Sequence, residues 1–108
     1  MTTRAGAVRA LLLAVSLGAS GTAGAGEAAD RHADWRGCLH RRFALEAPHL
    51  TRTRAAEAAL RACQGDEAAY LTALSASPLL DGDDVARVRP ALLLKARGWL
   101  IAGGARPL

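Results

Sequence analysis

Two cysteines, Cys38 and Cys63, limit what this chain can fold into more than any other residues do, provided it reaches a compartment where they can be oxidised. Residues 1–25 predict that it does. Arg4 and Arg9 accompany an apolar run from Ala10 to Leu17, and a small-residue stretch then ends at Ala23-Gly24-Ala25. A signal peptidase needs small side chains at the first and third positions before the cut, so cleavage is expected after Ala25. A retained membrane anchor is the rival reading. Roughly twenty continuous apolar residues are needed to span a bilayer, and here Arg9 interrupts early while Gly18-Ala19-Ser20-Gly21-Thr22 dilutes the far end. No cysteine follows the run to be lipidated, and no twin-arginine pair opens the chain. Lys95 is the single lysine among 14 basic residues, a bias that points to a GC-rich bacterial genome and so to the periplasm.

What is left, residues 26–108, is enough for a single small domain and too short for two. A core of that size is marginal unless something staples it. The cysteines form no CxxC, no haem-attachment motif and no zinc pattern, so in an oxidising compartment a structural disulfide is the expected state. Closing a loop of this length is worth about 3 to 3.5 kcal/mol if chain entropy dominates. The formal charge of +4 overstates the basicity, because Arg4 and Arg9 leave with the leader. Arg41-Arg42 and Arg52 with Arg54 are short clusters, with few aromatic platforms, which argues against nucleic acid as a partner.

The domain is rich in alanine and leucine and poor in β-branched residues, which predicts an all-α fold. A first helix is expected from Asp30 to Ala47, with Trp35, Cys38, Leu39 and Phe43 on one face and Pro48 ending it; residues 26–30 read as a frayed start. Thr51 or Thr53 can cap a second helix, whose stripe of Ala56, Ala59, Leu60 and Cys63 continues in phase through Tyr70, Leu71 and Leu74. One helix over 53–75 is therefore expected despite Gly65. Asp81, Asp83 or Asp84 can cap a third helix that runs to Ala102 before Gly103-Gly104, with Pro90 kinking or dividing it. The disulfide agrees with this layout: the midpoint between Cys38 and Cys63 falls in the first turn, so residues whose numbers sum to 101 face one another across an antiparallel hairpin. A three-helix domain follows, with the third helix packed across the clamped pair.

Catalysis needs convergent groups, such as a nucleophile with its base, paired carboxylates, or a metal with an open position. The sequence contains no GxSxG, HExxH, Walker loop or dinucleotide fingerprint. Asp81-Gly82-Asp83-Asp84 fails as a calcium loop, because Val85, Ala86 and Leu92 stand where that loop needs a ligand, a glycine and a glutamate. His32 and His40 are about 12 Å apart along the first helix and cannot share one ion within it. No catalytic residue, cofactor or metal ligand is therefore assigned. Charges within apolar stripes are more informative. Glu67 lies on the inward face opposite Asp34, where it can pair with Arg31 or, if the third helix does not cover it, stay wet. Arg42 and Glu46 can pair locally.

The third helix carries the clearest interaction signal. Val85, Val88, Leu92, Ala96 and Trp99 form one stripe, while Leu94 and Ile101 lie nearly opposite. A helix apolar most of the way round needs two neighbours. It can be wedged deeply over the hairpin, or it can offer Leu94, Ile101, Lys95, Arg97 and Trp99 to another envelope protein or a second copy. The same basic, tryptophan-bearing helix could lie weakly on a membrane surface. The expectation is a small exported interaction module and not an enzyme, which would require a concave pocket collecting Glu67, Arg31 or a histidine.

Overall fold

The computed structural model describes residues 23–104 and 108. The leader read over residues 1–25 lies, up to residue 22, outside that range. Four helices make up the fold: α1 (Ala23–Glu46), α2 (Arg52–Ala62), α3 (Gln64–Ser75) and α4 (Gly82–Ile101). No strand occurs among the described residues, so the all-α class holds with one more helix than expected. α1 starts well before Asp30, because Ala23–Asp30 is alanine-rich and contains no proline to stop it.

The hairpin is as the cysteines dictate. α1 runs against α2 and then α3, and the Cys38–Cys63 disulfide joins the two sides with Cα atoms 6.0 Å apart. The expected single second helix is divided, and the division falls at Cys63 instead of Gly65. Cys63 leaves helical geometry at φ −103°, ψ 20°. Its N–H still donates to the Ala59 carbonyl at 3.0 Å, and its own carbonyl accepts from the Glu67 N–H at 3.0 Å. Hydrogen bonding thus passes through the bend, which explains why the apolar phase survives it. The bent residue is the one tied covalently to α1, and the glycine is merely next to it.

Local signals set the helix ends. Thr51 Oγ1 accepts from the Arg54 N–H, starting α2. Asp81 and Asp84 form a reciprocal capping box: Asp81 Oδ1 accepts from the Asp84 N–H at 2.8 Å, and Asp84 Oδ2 accepts from the Asp81 N–H at 3.3 Å. Pro90 does not divide α4. It stands on the exposed side, one turn after the equally exposed Ala86, whose freed carbonyl water can satisfy. Gly103 and Gly104 then take φ values of +100° and +67°, which end the helix.

The core is small and built mainly from small side chains. Trp35 and Leu39 of α1 are fully buried against Ala56, Ala59 and Cys63, and α4 closes the groove with Ala96, Trp99 and Leu100. Alanines at the centre of α2 let the helices approach closely, and Trp35 fills the resulting groove. α4 runs antiparallel to the α2–α3 arm. As its residue numbers rise from Arg89 through Arg97 to Ile101, their partners fall from Glu67 through Glu57 to Arg52.

Candidate functional site

A charged cleft beside α4 and the outer face of α4 hold most of the candidate residues, and His40 with Arg52 lines a second cleft of about 230 Å³ against the end of α4. The charged cleft comes from the burial of Glu67. This carboxylate stands one turn after the Cys63 bend and is 5% exposed. It does not pair with Arg31, which instead lies 3.9 Å from Asp34 on the surface of α1. Arg89 of α4 takes Glu67, with Nη2 3.0 Å and Nε 3.3 Å from the same oxygen, Oε2. Both earlier alternatives for Glu67 are thereby corrected, since α4 covers position 67 and brings its own cation. Arg89 follows Val85 by four residues and precedes Leu92 by three, so it is a charge set in the apolar stripe. That spacing was the signal sequence reasoning passed over.

The cleft around this pair measures about 270 Å³, and Leu60, Arg61, Gln64 and Leu93 complete its walls with Glu57 at the rim. Ligand pockets usually run from about 300 Å³ upward. Its lining among the described residues holds no hydroxyl, thiol or imidazole to act as a nucleophile or proton carrier. Both Arg89 nitrogens converge on Glu67 and offset its charge, and the second carboxylate of the lining, Glu57, lies 3.4 Å from Arg97. The arrangement is that of a structural ion pair. Neither Arg31 nor a histidine enters this cleft.

The histidines are dispersed. His32 packs edge-on to Tyr70, with ring centroids 4.9 Å apart, and Tyr70 stacks on Trp35 at 5.8 Å. Burial lowers the His32 pKa below its ordinary value, and the nearby charges of Arg36 and Lys95 lower it further. Burial likewise raises the pKa of the Tyr70 phenol. The Trp35 indole N–H in this cluster has no hydrogen-bond partner. His40 lies edge-on to Trp99 at 6.2 Å. Among the described residues no three metal-binding side chains come together.

The residues predicted to form an interaction surface are separated by the rotation of α4. Leu94 is 68% exposed and Lys95 is exposed. Trp99 points the other way, into the core, and Ile101 is half-buried against that core. Arg97 is half-buried and its Nη2 lies 3.4 Å from Glu57 Oε1. Val88, assigned to the inner stripe, is instead half-exposed. Arg42 and Glu46 form no ion pair among the described residues. The outer face of α4 thus consists of Ala91, Leu94, Gly98 and Ala102, with Val88 and Lys95 flanking it. A side chain added at Gly98 would meet nothing within 4 Å, so this glycine serves no contact inside the domain. Among the described residues no helix is long and apolar enough to cross a membrane.

Comparison with protein-family models, curated proteins and solved structures returns no match.

Proposed function

We propose that this is a small exported, disulfide-stapled interaction module without enzymatic activity, which associates through the outer face of α4 with a second copy of itself. The observation that carries the reading is Leu94, 68% exposed at the centre of that face. Around it, Ala91, Gly98 and Ala102 are too small to obstruct a neighbouring helix, and Lys95 at the edge is the one charge between Ala91 and Ala102 on that side. Glycine within a helix costs about 1 kcal/mol relative to alanine, and close approach by another backbone is one condition that offsets this cost. The cleft supports the non-enzymatic part, because its one buried carboxylate is already paired. A membrane role for the same helix loses its main support with Trp99 in the core.

Sedimentation velocity on the purified, oxidised protein tests this. The expected result is a concentration-dependent dimer or larger species that Leu94→Glu returns to monomer without changing the circular dichroism spectrum. A wild-type protein that stays monomeric at about 100 μM, a concentration that populates any interface tighter than about −5.5 kcal/mol, would refute the self-association.

A further inference from the structure

The end of the molecule where α1 turns into α2 has a chemistry that neither the core nor the α4 face explains. Leu45 is 62% exposed and Leu50 is 38% exposed, with exposed Pro48 and His49 between them. Arg41, Arg42 and Arg54 are exposed on the adjoining turns and take part in no ion pair among the described residues. Arg52 differs: its Nε donates to the Ile101 carbonyl at 3.0 Å, and its guanidinium lies 5.3 Å from the centre of the Phe43 ring, so it ties α4 to the hairpin. Two exposed leucines at a turn are therefore flanked in sequence by Arg42 and Arg54, with Arg41 one turn farther back beside Gly37, and Glu46 is the only acid between residues 35 and 56.

We infer that this turn docks on an anionic bilayer surface, with Leu45 and Leu50 entering the headgroup region and Arg41, Arg42 and Arg54 meeting lipid phosphates. Charge complementarity selects the partner class, and the leucines narrow it. Nucleic acid would reward the arginines but not two exposed aliphatic side chains, and the phenyl ring nearby, Phe43, is half-buried beneath Arg52. The acidic end of a second copy is a poorer match. There Asp81 and Asp84 are held in the capping box, Asp84 also approaches Arg87, and Asp34 approaches Arg31, which leaves Asp83 as the exposed acid of the α4 start outside any ion pair among the described residues. A lipid surface needs only what the turn presents: exposed aliphatic side chains with arginines on the flanking turns. The surface is distinct from the α4 face, so this inference and the proposed self-association can fail separately.

Flotation with vesicles tests it, using the purified protein with its disulfide formed. Each arginine near an anionic surface contributes about a fivefold factor in partitioning. Binding is expected to vesicles containing about 30% phosphatidylglycerol in about 50 mM salt, to weaken in about 500 mM salt, and to be absent on pure phosphatidylcholine. The Arg41→Ser, Arg42→Ser, Arg54→Ser triple variant should bind about a hundredfold more weakly, and Leu45→Ser with Leu50→Ser about tenfold more weakly. All five positions are exposed or half-exposed, so both variants should keep the wild-type thermal transition, and Leu94→Glu should bind vesicles like the wild type. Failure to float with anionic vesicles at low salt would overturn the inference. So would binding unaffected by the tip variants, equal affinity for heparin that ignores the leucine changes, or salt-sensitive oligomers abolished by Asp83→Lys.

Discussion

The Glu67–Arg89 pair is asymmetric, and the asymmetry fixes what its removal should cost. The Glu67 side chain is 7% exposed and that of Arg89 is 43% exposed. Replacing Arg89 with Met keeps most of the aliphatic stem but leaves a buried carboxylate without its cation. Breaking a fully buried pair from one side costs about 3 to 5 kcal/mol. Here water can enter through the cleft, which lowers the expected penalty for Arg89→Met to about 2 kcal/mol. Glu67→Gln leaves the opposite residue behind, a guanidinium already nearly half in water, so it should cost about 1 kcal/mol or less. Replacing both with apolar residues, Glu67→Leu with Arg89→Met, removes the unpaired group altogether and should fall within about 1 kcal/mol of wild type. Urea denaturation at pH 7, fitted with a common slope, provides the three numbers, and the departure of the double variant from the sum of the singles gives the coupling. Equal penalties for the two single changes would refute the reasoning. A double variant that costs the sum of its singles would do so equally, because the pair would then not be interacting.

Two further predictions follow from the clamp and the aromatic cluster. Reducing the disulfide, or replacing Cys38 and Cys63 together with Ser, should remove about 3.5 kcal/mol for the 25-residue separation. At about 4 to 8 °C per kcal/mol for a domain of this size, the melting temperature should fall by about 15 to 25 °C, and a fall under about 5 °C would show that the hairpin does not depend on its staple. His32 has a pKa held below its ordinary 6.5 by burial and then by Arg36 and Lys95, so the folded state binds its proton less readily than the unfolded chain. Its contribution is therefore complete above pH 6.5 and is lost as pH falls through the depressed value. Denaturation midpoints should drop as pH falls below 6.5, and His32→Gln should flatten that part of the profile; an unchanged slope in the variant would assign the loss to other groups.

The hairpin could be read from the sequence because a covalent bond fixed it. Given Cys38 and Cys63, only one height relation between the two arms was available, and the caps at Thr51 and Asp81 rested on side chains that act within a few residues. The bend at Cys63 was not legible for the opposite reason. Helical phase is preserved when hydrogen bonds pass through a bend, so the pattern of Ala59, Cys63, Tyr70 and Leu74 is the same with or without it. Glycine weakens a helix, which points to Gly65, yet the bend lies at the residue tied to the other arm.

The rotation of α4 is the feature that hydrophobic pattern constrains least, and it bears on both proposals. Apolar residues surround most of this helix, so hydrophobic pattern alone permits several rotations, among them the one that placed Trp99 outward beside Leu94. Three polar contacts select among them. Arg89 reaches Glu67, Arg97 reaches Glu57, and the Ile101 carbonyl accepts from Arg52, all in one antiparallel register. Each contact is modest, and two of its members are half-exposed arginines, so their value lies less in stability than in excluding the alternative rotations that burial would tolerate. Once they are made, Trp99 and Leu100 must face the core, and Ala91, Leu94 and Gly98 must face away. The same register places Arg52 under the end of α4, which commits that arginine and leaves Arg41, Arg42 and Arg54 uncommitted at the turn. Replacing Arg89 and Arg97 together should therefore do more than destabilise. If the polar contacts set the rotation, such a variant should broaden the environment of Trp99, seen as a red shift and greater quenching of its fluorescence with helicity retained, whereas an unchanged spectrum would mean that packing against Trp35 and Leu39 sets the rotation unaided.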